Sequence, residues 1–125
     1  MSNYKKYKLF RSLFILLLFI QVSCSNQKFD KNAWCEREDS VFPPSLRPYM
    51  LDDLITNNKL VGLTYNELIA RLGMPDNKDT NIVSYAIVVE YGTDIDPVYT
   101  KDLEFTISKD SLIMSLRIRE SKDGN

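Results

Sequence analysis

The chain has 125 residues, with 16 basic and 17 acidic side chains, a formal net charge of −1 and no histidine. That length suits one small domain with a modest core. The near-balanced charge lacks the strongly basic character expected of a nucleic-acid binder, and without imidazole there is no Ser-His-Asp triad and no histidine zinc site.

In chain order, Lys5, Lys6, Lys8 and Arg11 precede an unbroken apolar run, Leu13–Ile20. A basic segment followed by an apolar stretch of about 7–15 residues reads as a secretory signal. A membrane-spanning helix needs about 20 apolar residues. The next residues, Gln21-Val22-Ser23-Cys24, resemble the lipobox of bacterial lipoproteins, in which a small residue precedes a cysteine that is diacylated, cleaved and then N-acylated. Val22, Ser23 and Cys24 match; Gln21 stands where Leu, Val or Ile is usual. The resemblance implies a signal peptide over residues 1–23 and lipid on Cys24, a lasting anchor because two or more acyl chains hold a protein stably. The alternative is an ordinary signal cleaved after Ser23 or Ser25. Ser25-Asn26-Gln27 carries no acid, which in that class implies the outer membrane, facing the periplasm.

Ser25–Ser40 is polar and charged, interrupted by Phe29, Ala33, Trp34 and Cys35, and residues 24–44 read as a flexible tether. Cys35 reads as a small apolar residue in that tether, with a reactive thiol or an intermolecular disulfide site as the alternatives. Val41–Pro44 is extended, since residues before proline avoid helical angles. Ser45 is placed to cap a first helix, with Pro48 in its first turn. Met50, Leu51, Leu54 and Ile55 fall on one face of it, and Asn57-Asn58 closes it.

The second helix is punctuated at both ends. Thr64 and Glu67 have capping-box spacing, and Leu63 and Leu68 that of a hydrophobic staple. Tyr65, Leu68, Ile69 and Leu72 form one buried face. Gly73 supplies a left-handed end, and Pro75 prevents resumption. About two turns long, this helix is too short to stand alone in water and must dock.

Asp76–Asn81 is a hydrophilic turn. Ile82–Tyr91 alternates as a strand, with Val83, Tyr85, Ile87, Val89 and Tyr91 on one face. Gly92–Thr100 reads as a loop. Asp102–Ser108 and Ser111–Arg119 form a hairpin that pairs Ile107 with Leu112, Phe105 with Met114 and Leu103 with Leu116, leaving Ile113 facing outward. Residues 121–125 are a solvated tail. The expected fold class is α+β: two short N-terminal helices packed on a three-stranded antiparallel sheet, an ααβββ domain over residues 45–120.

At this point the chain resembles the SmpA/OmlA (BamE-like) family of small bacterial lipoproteins. The match lies in Gly62-Leu63-Thr64, Glu67-Leu68 and Leu72-Gly73-Met74-Pro75, just before a strand containing Tyr85. It implies two helices on a three-stranded sheet and a role in assembling or stabilising envelope complexes. Tandem-repeat β-lactamase-inhibitor proteins share the unit, which implies an inhibitor or ligand-binding role as the alternative. The matching residues are caps and turns, so no binding residue carries over.

No catalytic residue, cofactor or metal is expected. The glycines 62, 73, 92 and 124 are isolated, so no phosphate loop exists. Asp94-x-Asp96 begins like a calcium loop, but Tyr99 stands at its sixth position and Phe105 at its twelfth. Asp52 and Asp53 are adjacent and do not face one another on a helix. What remains is surface: Ile82, Ala86, Val88 and Ile113 on the outer sheet face, with Tyr91 and Tyr99 flanking a loop. Val88, Ile113, Tyr91 and Tyr99 are the candidate partner-binding residues. The expected protein is a non-enzymatic, membrane-anchored interaction module with an envelope protein partner.

Overall fold

A computed structural model describes residues 26–123; residues 1–25, with the signal segment 1–23 and Cys24, and the last two residues lie outside the described residues. The chain forms α1 (Lys31–Cys35), α2 (Arg47–Asn57), α3 (Tyr65–Leu72), β1 (Asn77–Lys78), β2 (Ile82–Tyr91), β3 (Pro97–Ile107) and β4 (Ile113–Lys122). The strands make one antiparallel sheet in the order β1-β2-β3-β4. The class is α+β, as expected. To the two helices and three strands read from the sequence, the structure adds α1 and the two-residue β1.

Within the described part of the expected tether, α1 and its lead-in correct that reading: residues 27–35 are docked on the domain. Asp30 caps α1 by accepting from Ala33 N–H at 2.9 Å. Trp34 is fully buried, with Phe29 and Ala33 packed at the rim of the same core. Before it, Gln27 N–H donates to Tyr49 C=O at 2.9 Å. Phe29 N–H donates to the Asp53 carboxylate at 2.8 Å. Composition misleads here because one buried tryptophan removes about 150–250 Å² from water. That outweighs a polar average made of side chains that simply face outward.

Ser45 is not the α2 cap: Leu46 occupies that position without a side-chain bond, and Ser45 Oγ donates instead to Glu38 at 2.5 Å. The α2 stripe is as expected, with Met50, Leu51 and Leu54 buried. The α3 capping box is formed, with Glu67 N–H on Thr64 Oγ1 at 3.2 Å and Thr64 N–H on Glu67 Oε2 at 2.8 Å. Gly73 has φ 79° and ψ −175°. The positive φ was expected, but this ψ belongs to a region open essentially to glycine alone rather than to the left-handed helical one.

The hairpin register differs from expectation. Phe105 faces Leu116, Leu103 faces Ile118 and Ile107 faces Ile113, with an irregularity between Thr106 and Ile107 that leaves Met114 as the extra residue. Phe105 and Leu103 keep their core face because a two-residue displacement preserves side-chain direction. Ile113 is buried and Met114 is 58% exposed, the reverse of the expected assignment. The cause lies outside the hairpin. Gly62 N–H donates to Ile113 C=O and Ile113 N–H to Leu63 C=O, both at 2.8 Å, so the α3 lead-in pairs with the start of β4. β3 begins at Pro97, inside the expected loop, and β4 runs to Lys122, into the expected tail.

The core lies between the helices and one sheet face. Its centre is a chain of tilted and edge-on rings, Trp34–Tyr85 at 6.2 Å and Tyr85–Phe105 at 6.0 Å.

Candidate functional site

The most elaborate polar cluster is buried. Arg47, in the first turn of α2, is 3% exposed. Its Nε donates to Trp34 C=O at 3.0 Å, and its Nη1 donates to Asp76 Oδ2 at 2.6 Å and Ala86 C=O at 2.8 Å. The guanidinium lies 5.0 Å from the Trp34 ring centroid and 5.7 Å from that of Tyr85. Asp76 Oδ2 also accepts Ala86 N–H at 2.8 Å, and Asp76 Oδ1 pairs with Arg37. Ala86 therefore has both backbone groups capped by side chains where β1 no longer covers the β2 edge. The Arg47 and Asp76 charges are paired with each other and with the backbone of Trp34 and Ala86, which makes this a structural clamp. The sequence reading missed it. The available signal was a charge, Arg47, three, four and seven residues before Met50, Leu51 and Leu54, on the buried stripe.

Tyr85 completes the inner layer, its hydroxyl donating to Gly73 C=O at 2.7 Å. Burial, reinforced by Tyr65, pushes its phenol far above the ordinary range, so it remains a protonated donor.

The outer sheet face carries the second cluster. Cross-strand register sets Ser84 against Glu104 and Ala86 against Asp102, and on the other side Glu104 against Arg117 and Asp102 against Arg119. Glu104 is 6% exposed. It accepts from Arg117 Nε at 2.7 Å and Arg119 Nη1 at 3.2 Å. Burial acts to raise its pKa, but the two arginines outweigh that and hold it below the ordinary value. Burial, then the Glu104 charge, push Asp102 up, with Arg119 only partly offsetting them. These residues, with Asn77, Asp79 and Ile82, line a depression of about 270 Å³. A guanidinium has five N–H donors. Arg117 and Arg119 keep side-chain exposures of 67% and 63%, so most of those donors face solvent. The face can present fixed donors and acceptors to a polar surface.

The four partner-binding candidates are not brought together. Ile113 is a core residue, as described above. A register irregularity between Ala86 and Val88 precedes Val88, which is half-buried and packs against the core. Tyr91 is 42% exposed and meets Phe42 edge-on at 5.7 Å. Tyr99 lines a separate open hollow of about 490 Å³ with Glu90, Glu120 and Lys122. Burial, then Glu120, raise its phenol. The expected apolar outer patch is therefore corrected: strand irregularities turn Val88 and Ile113 inward, Ile82 stays at the rim of the outer depression, and the centre of that face is ionic.

Among the described residues no group of three Cys, Asp or Glu side chains is placed to hold a metal, the Asp94–Asp96 loop included. Nor is any of their helices long and apolar enough to cross a membrane. Cys35 is exposed, and its Sγ donates to Leu72 C=O at 3.3 Å. No family model matches the chain, and neither a curated protein nor a solved structure matches it.

Proposed function

We propose that this protein is a lipoprotein of the bacterial cell envelope, anchored through acylated Cys24, whose domain acts as a non-enzymatic interaction module of the SmpA/OmlA (BamE-like) kind. The observation that carries the binding role is the outer sheet face, where Asp102, Glu104, Arg117 and Arg119 hold a fixed pattern of charge. Such patterns give partner selection and orientation more than raw affinity. The depression there, about 270 Å³, is walled mostly by charged and polar groups rather than by the apolar side chains that predominate in small-molecule sites, which favours a protein surface over a soluble ligand. Glu104 is engaged by two arginines and so is poorly suited to proton transfer. The lipid anchor and the envelope setting rest on the signal and lipobox pattern of residues 5–24, and the outer-membrane assignment on the absence of acid after Cys24.

The test is cross-linking in native membranes followed by purification. Wild-type protein is expected to retain a specific envelope partner, and Arg117→Glu with Arg119→Glu to lose it while the domain stays folded. An unchanged partner profile removes this face from the proposal. Turnover of an envelope substrate by the purified domain, abolished by Asp102→Asn in a folded variant, overturns the non-enzymatic reading.

A further inference from the structure

We infer that the domain lies directly against the bilayer, with its helix layer toward the lipid and its outer sheet face turned away. This rests on the acylation of Cys24 proposed above. Were residues 24–44 a free tether, the domain would range over roughly 25 Å, from the usual square-root dependence of span on length. The structure removes that freedom. Gln27 N–H is bonded to Tyr49 C=O of α2, Phe29 N–H to Asp53, and Trp34 is in the core. Only Ser25 and Asn26 separate the cysteine from the first pinned residue. At a maximum of 3.3–3.6 Å per residue, the link from Cys24 to Gln27 spans about 11 Å at most. That is no more than the width of one helix with its side chains, about 10–12 Å. The link is too short to carry the anchor around the helix layer and bring the sheet face to the membrane.

The surface beside the pinned segment is consistent with an interfacial position. Tyr49 is 50% exposed next to Gln27, and tyrosine is enriched at the headgroup level. Lys28 and Lys31 are matched by Asp30 and Asp52, so attraction to anionic lipid is not the driving force. The covalent anchor and the short link set the orientation. A partner of the Arg117–Arg119 face must then approach from the aqueous side.

The experiment uses full-length protein with Cys35→Ser, carrying either Asp52→Cys or Ser115→Cys for a fluorescent probe, reconstituted into phosphatidylethanolamine and phosphatidylglycerol vesicles with a nitroxide quencher on the headgroups. Intact mass reports acylation of Cys24. The Asp52 probe, on α2, is expected to be quenched several-fold more strongly than the Ser115 probe, on the outer sheet face. A long Gly/Ser insert between Ser25 and Asn26 is expected to erase that difference while acylation persists. Acylated protein with equal quenching at the two positions, or a difference that survives the insert, overturns the orientation. A mass without lipid overturns the anchoring itself, and the orientation with it.

Discussion

Arg47 Nη1 and Asp76 Oδ2 meet at 2.6 Å, and both also bind the backbone of Ala86. One ion pair thereby joins the start of α2, the turn after α3 and the β2 edge. Removing one partner of a buried pair strands the other charge, at a cost of about 3–5 kcal/mol. Asp76→Ala and Arg47→Ala are each expected to lose about that much stability in urea melts. Arg47→Lys is expected not to rescue, because an ammonium cannot reproduce the fork to Trp34, Asp76 and Ala86. The double variant is expected to cost less than the two single losses together. Strict additivity would mean that the pair does not act as a unit.

Gly73→Ala is expected to destabilise by about 1–3 kcal/mol, the usual cost of a non-glycine residue in a glycine-only backbone region. There is also a steric component, since an added Cβ would sit 2.8 Å from Cys35 Sγ. Adding Cys35→Ala should recover the steric part and leave the backbone part. Full recovery in a thermal melt would mean that φ of 79° is not the main constraint.

Trp34→Ala is expected to cost about 3–5 kcal/mol, as for other buried aromatics truncated to alanine. A loose tether would show no loss. Trp34→Phe is expected to cost less, because the buried indole N–H has no hydrogen-bond partner among the described residues to lose. Chemical melts of the two variants separate partial loss of ring volume from loss of the whole aromatic.

The displaced hairpin register predicts opposite outcomes at neighbouring positions. Ile113→Ala is expected to cost about 2–5 kcal/mol as a core truncation. Met114→Ala, at an exposed bulge, is expected to stay within about 0.5 kcal/mol of wild type. If Met114 proved the sensitive one, the register would be the simple hairpin expected from alternation alone.

The outer face predicts a pH dependence with two opposing parts. Glu104 has a lowered folded-state pKa. Its contribution is complete above the unfolded glutamate value of about 4.3 and is lost as pH falls through the folded one. Asp102 has a raised pKa, so its contribution is complete below the unfolded aspartate value of about 3.9 and is lost as pH rises through the folded one. Glu104→Gln is expected to weaken the fall in stability on acidification, and Asp102→Asn to raise stability at neutral pH. Melts from pH 3 to 7 check both signs.

What the sequence determined by itself was local. The Thr64–Glu67 capping box, the positive φ of Gly73, the buried stripe of α2 and the extent of β2 all follow from near-neighbour chemistry, and all are present in the fold. The features decided only in the tertiary structure depend on groups far apart in the chain. Ile113 turns inward because the backbone of residues 62 and 63 pairs with it, and hydrophobic alternation along one strand carries no record of that partner. Arg47 is buried because Asp76 and Ala86 arrive to satisfy it. Trp34 becomes core because α2, α3 and the sheet together leave it a site, which the charged composition around it conceals. The outer face became an ionic surface for the same reason. The cross-strand register sets Arg117 and Arg119 around Glu104, and a charge is tolerated at 6% exposure only where such partners are already in place.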